Sequence, residues 1–107
     1  MGKRASLIRQ FDVETRRAVI ERDGGMCVVT GRPAQDVHEV CPRSHFGVKN
    51  LHQCFDMRNR CCLSREIHQQ VHTRQGRMAL LRLLHERHGY DYTVPPWAQY
   101  MVDELDG

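Results

Sequence analysis

Lysine is almost missing from this basic chain. Of 16 lysine and arginine residues only Lys3 and Lys49 are lysine, so arginine carries the formal charge of +3. Arginine grips phosphate with a planar fork, which suits a nucleic-acid partner better than the net charge alone suggests. Composition by itself equally allows a charged solvent face. Long apolar runs are missing too: none approaches the roughly 20 residues that a membrane-spanning helix needs. The opening MGKRASLIRQ holds no apolar stretch of the secretory kind. The five cysteines, Cys27, Cys41, Cys54, Cys61 and Cys62, are an odd number, which fits reduced thiols better than a disulfide framework. These absences predict a soluble, cytoplasmic protein without a membrane partner. The sequence also lacks repeats and low-complexity segments. Its 107 residues predict one domain, 1–107, with a modest core that a bound metal would help to hold together.

The expected elements follow from local signals. Met1 to Phe11 is weakly patterned and reads as an arm or a short helix. Asp12 is a candidate N-cap for a helix over about 13–22, closed by the pair Gly24-Gly25. Met26 to Thr30 and Val37 to Val40 read as two strands of a hairpin around the turn Gly31-Arg32-Pro33. Arg43 to Asn59 reads as a long irregular loop. Leu63 to Thr73 reads as a helix with Ser64 as its cap, broken by Gly76. A last helix over about 77–88 carries the apolar stripe Met78, Leu80, Leu81, Leu83 and Leu84, ended by Gly89. In the tail, 90–107, Pro95-Pro96 begins extended, and Trp97, Tyr100, Met101 and Leu105 are spaced to pack back on the core.

Chemistry gathers between Asp36 and Thr73. His68 and His72, four apart in a helical reading, project from one face, and His38 comes from a neighbouring strand. Two helical histidines and one from a strand can hold a divalent ion with positions left open. The order His38-Glu39, Pro42-Arg43-Ser44, Asn59, His68 and His72 resembles the HNH endonucleases, built on a ββα-metal finger. The upstream run VIERDGGMCVVTG is also similar to the lead-in of small phage-type HNH proteins. The likeness covers roughly Val19 to Thr73.

The resemblance implies an α+β fold: a small, treble-clef-like ββα-metal core over about 26–73, flanked by an N-terminal helix and a C-terminal helix plus tail. It implies metal-dependent cleavage of DNA, by nicking or double-strand scission, with weak sequence preference. One divalent ion (Mg²⁺, Mn²⁺, Ni²⁺ or Zn²⁺) would sit on His38, His68 and His72. Glu39 falls where the family usually has a histidine base, and it stands either as general base or as a metal-linked carboxylate. Asn59 matches the asparagine that pins the loop and helps orient the base. Arg43, Arg58, Arg60 and Arg65 are candidate phosphate contacts. A structural zinc common in the family would need the positions of Cys27, Thr30, Ser64 and Ile67; three of these cannot serve as its ligands, so no structural zinc is expected. The implied partners are DNA and, in a phage setting, terminase or other packaging proteins. The substituted base position and the eroded zinc positions leave two rivals: a degenerate finger that binds DNA or assists packaging without hydrolysis, and a protein-interaction domain built on the leucine stripe and Trp97.

Overall fold

Leu7, Ile8, Phe11, Thr15 and Val19 recur every three or four residues, and that stripe draws the N-terminal segment into a single helix, α1 (Lys3–Asp23). The structure, a computed structural model, describes residues 2–98. Leu7, Ile8 and Phe11 pack against the core, Thr15 donates to the Phe55 carbonyl at 2.7 Å, and Val19 is fully buried. The helix is therefore twice the expected length, and Asp12 lies within it rather than capping it. Val13 and Ile20, although apolar, face outward from this helix at 74% and 40% exposure. The end is as expected: Gly24 takes φ +66, the left-handed conformation that an exit from a helix favours.

The strand pairing differs from the expected hairpin. Met26 touches Pro33 through one isolated bridge, and Cys27 to Gly31 form a tight turn closed by the Gly31 N–H on the Cys27 carbonyl at 2.8 Å. The sheet is instead made by β1 (Asp36–Glu39) and β2 (Arg60–Leu63), antiparallel, with His38 opposite Cys61 and Glu39 opposite Arg60. Burial explains this: all four residues of β2, Arg60 included, are buried and need cover on both faces, whereas of Met26 to Thr30 only Cys27 and Val28 are buried. The knuckle still touches the sheet, through Val28 N–H on the Cys62 carbonyl at 3.0 Å.

The segment expected to be irregular is a chain of short turns. Single 3-10 turns at Arg43–His45, Val48–Asn50 and Met57–Asn59 surround a one-turn helix, α2 (Leu51–Cys54). Leu51, Cys54 and Phe55 are buried and fasten it to the core.

After β2 comes α3 (Arg65–Gln70), whose cap Ser64 accepts from the Ile67 N–H. It ends before His72. Thr73 caps α4 (Arg74–His88) by accepting from the Gly76 N–H at 3.0 Å, so Gly76 lies in the first turn of α4 and does not break a helix. Its lack of a side chain matters there, because a Cβ would stand 2.7 Å from the backbone of Val71. Met78, Leu80, Leu81 and Leu84 form the buried side of α4, with Leu83 at its margin. Tyr92, Trp97 and Ala98 close the core from the C-terminal side, Tyr92 donating to the Arg58 carbonyl at 2.6 Å. Tyr100, Met101 and Leu105 lie outside the described residues. The described residues form a small α+β domain of four helices and a two-stranded antiparallel sheet. No helix among the described residues is long and apolar enough to cross a membrane.

Candidate metal centre

Strand β1 and the corner between α3 and α4 bring three histidines together. His38 and His68 have ring centroids 4.7 Å apart, His38 and His72 5.6 Å, and His68 and His72 5.2 Å. His72 arrives there from the corner and not from a second turn of α3. Sequence spacing placed it near His68 for the wrong geometric reason. The rings border a cavity of about 390 Å³ that Glu39, Arg43 and Arg77 also line.

Each ring is in a different state. His38 is almost completely buried, and its Nε2 has no hydrogen-bond partner. Burial, helped by the neighbouring His68 and His72, pushes its pKa down to about 3, so its imidazole is neutral at ordinary pH and keeps a lone pair free. His68 is half-buried and pairs through Nδ1 with Asp36 Oδ2 at 3.0 Å. That hydrogen bond, with Arg65 beside it, holds the Asp36 carboxyl below its ordinary pKa. A carboxylate on the far nitrogen of a ligating histidine is the usual way to fix its orientation. His72 is exposed.

The donor chemistry suits a divalent ion: an orphaned buried imidazole nitrogen, a second imidazole oriented by a carboxylate, and a third at the mouth. The cluster is not a preformed cage. Among the described residues, no group of three or more His, Cys, Asp or Glu is arranged to hold a metal ion. Closing one requires side-chain rotation, for which the exposed His72 has room.

Glu39 lines the cavity but is tied to Arg43, whose Nε donates to Oε1 at 2.5 Å. The terminal nitrogens of Arg43 donate to no described group, and its guanidinium lies 5.3 Å from the Phe55 ring centre. Asn59 is fully buried. Its side chain accepts from Cys41 N–H at 2.7 Å and donates to the carbonyls of Cys41 (3.1 Å) and Cys54 (2.8 Å). It staples the turn-rich segment to the start of β2 and does not border the cavity.

The four arginines expected on DNA differ sharply. Arg65 is exposed and reaches Asp36 at 3.2 Å, and Arg58 is half-exposed with Asp56 at 3.0 Å. Arg60 corrects the expectation. It has no exposed surface, its guanidinium meets Asp12 and Thr15 of α1 beneath the Phe55 ring, and it cannot reach a phosphate. A position between Asn59 and two cysteines at the start of a buried strand is what separates it from the other three.

Cys27, Thr30 and Ser64 do come together: hydrogen bonds from Thr30 and from the Ser64 backbone outweigh burial and lower the Cys27 pKa to about 7. The Ser64 hydroxyl is committed to capping α3. All five cysteines are buried, and none forms a disulfide among the described residues. His45 contacts Cys41 Sγ at 3.4 Å, and His52 packs on Phe11, so neither joins the cluster.

Two site residues escaped the sequence reading. Asp36 stands two before His38, and alternation along a strand puts the two on one face, which was the available signal. Arg77 would have been found by recognising Thr73 as a cap, since that starts α4 three residues earlier. No protein-family model matches the chain, and neither does any curated protein or solved structure.

Proposed function

We propose that the chain is a metal-dependent DNA endonuclease of the HNH kind, with β1, β2 and α3 as a ββα-metal finger. The observation that carries this reading is the convergence of His38, His68 and His72 beside Glu39 and Arg43 at one open cavity, with the buried Nε2 of His38 left unpartnered. His38, His68 and His72 would hold one divalent ion, Mg²⁺, Mn²⁺, Ni²⁺ or Zn²⁺. When bound, such an ion stabilises charge on a scissile phosphate and on its leaving oxygen.

The remaining work falls to the chain. Asp36 occupies His68 Nδ1 and leaves Nε2 for a ligand. The Glu39 carboxylate would position the attacking water and take its proton, giving 5′-phosphate and 3′-hydroxyl ends. Arg43 fixes that carboxylate through Nε and keeps its terminal nitrogens for a phosphate oxygen. Asn59 acts one layer away, by holding the segment that carries Arg43 against β2. Arg58 and Arg65 are the outlying backbone contacts. Few side chains are placed to read base edges, so sequence preference is weak. The setting that goes with this reading is the cytoplasm, with phage packaging proteins as further partners.

One observation favours the second reading, a finger that binds DNA without cutting it: the base candidate Glu39 is already paired with Arg43. Cleavage of supercoiled plasmid across the four metals, with Glu39→Ala and His68→Ala alongside, separates the two. The nuclease reading expects metal-dependent nicking that falls to background in His68→Ala, with DNA binding retained. Parent-rate cutting by His68→Ala would remove the metal role, and binding without cutting under every metal would favour the module.

A further inference from the structure

Arg43, Arg58, Arg60 and Arg65 all pair with carboxylates, whereas one arginine bordering the cavity does not. Arg77, on the first turn of α4, donates through one terminal nitrogen to the His72 carbonyl at 3.1 Å and pairs with no carboxylate among the described residues. Its Nε is buried and has no hydrogen-bond partner. A guanidinium carries five donors and stays charged, so an unmatched donor beside an open, histidine-lined cavity is suited to an anion. From these observations we infer that Arg77 is a phosphate anchor: it and Arg43 grip one backbone phosphate of a nucleic-acid strand drawn into the cavity beside His38, His68 and His72.

The two arginines divide the task. Arg43 shares its fork with Glu39, so part of its charge is already compensated. Arg77 offers an uncompensated charge, held in place by its bond to the same corner that presents His72. Seating the phosphate this way would bring its oxygens next to the three imidazoles without drawing on the Glu39 pair. The proposal deepens the nuclease reading and rests on it for the identity of the anion, but its test does not depend on cleavage.

Binding of a short DNA duplex in the presence of chelator, over a range of salt concentrations, provides that test for the parent, Arg77→Gln and Arg77→Lys. Cobalt(II) absorbance, read without DNA, reports the imidazole cluster in the same three proteins. Loss of one charge-assisted phosphate contact should weaken Arg77→Gln by about tenfold and reduce its salt slope by about one. Arg77→Lys should recover the slope but not all of the affinity, and the cobalt spectrum should stay that of the parent. Parent affinity and slope in Arg77→Gln would overturn the proposal, as would a lost cobalt signal with unchanged DNA binding, which would make Arg77 a prop for the His72 corner. If the parent never cuts plasmid yet Arg77→Gln shows the weaker, flatter binding, the anchor stands and the nuclease reading falls. Should Arg77→Gln fail to fold, Arg77→Lys carries the comparison, and parent affinity in that variant would overturn the two-pronged grip.

Discussion

Two clusters of polar side chains border the β1–β2 sheet, and they are built on opposite plans. In the first, the Asp23 side chain is fully buried and accepts from Arg22 Nε at 2.8 Å, from Arg22 through a terminal nitrogen at 3.1 Å, and from the Cys62 N–H at 2.9 Å. Arg22 also donates to the carbonyls of Met57 and Arg60, and burial notwithstanding, its bonds to Asp23 and Tyr90 raise its pKa further. In the second, His38, His68 and His72 stand within ring contact while the Nε2 of His38 bonds to nothing and His72 faces solvent. The charges of Arg22 and Asp23 are matched inside the protein, although the buried Nε2 of His88, 3.8 Å from Asp23, has no hydrogen-bond partner among the described residues; the second cluster opens on a cavity. Buried charge that is matched holds elements together, whereas polar groups left unmatched at an open cavity have room for a further partner.

That contrast can be broken at several points. The largest effect is expected from Asp23→Ala, which leaves a buried arginine and a strand N–H unmatched. Removing one partner of a buried pair costs about 3–5 kcal/mol, to be read as a lower urea midpoint. An unchanged midpoint would mean that the matched cluster does not hold the fold.

Gly76→Ala comes next, and its sign is the informative part. In an ordinary helix the change gains about 1 kcal/mol. Here the added methyl meets the backbone of Val71 at 2.7 Å, so a loss of about 1–3 kcal/mol is expected. A gain would show that the His72 corner yields freely.

Asp36→Asn should leave the unfolding midpoint almost where it was. Its effect belongs to the open cluster: nickel affinity, measured by calorimetry, should fall about 10–100-fold as His68 loses its orienting carboxylate. The comparison would be reversed if this variant lost stability and kept its metal.

What could be read in the sequence was local, and what could not was long-range. Ser64, Gly24, Gly89 and the leucine stripe of α4 announce themselves through capping and periodicity, which act within a few residues. The partner of β1 lies more than twenty residues on, beyond a segment of short turns, and no neighbouring residue signals it. Arg60 looked like its exposed neighbours because its partner Asp12 is 48 positions away. The histidine cluster was legible as a set of residues, but the route of His72 into it was not. The spacing of His68 and His72 suggested one helix running through to Thr73, but α3 ends at Gln70 and Thr73 and Gly76 open α4 instead.

The guanidinium of Arg22 has a consequence for how the chain reaches this form. It ties the end of α1 to the turn before β2 and, through Tyr90 at 3.3 Å, to the segment that follows α4. These three stretches are far apart along the chain, so no fragment carrying the histidines alone contains the parts that fasten it. Closing such wide loops precedes any reward from the contacts they bring together. Amide hydrogen exchange should therefore find α1, β2 and α4 opening as one cooperative unit, with the histidine corner exchanging sooner than the strand it faces.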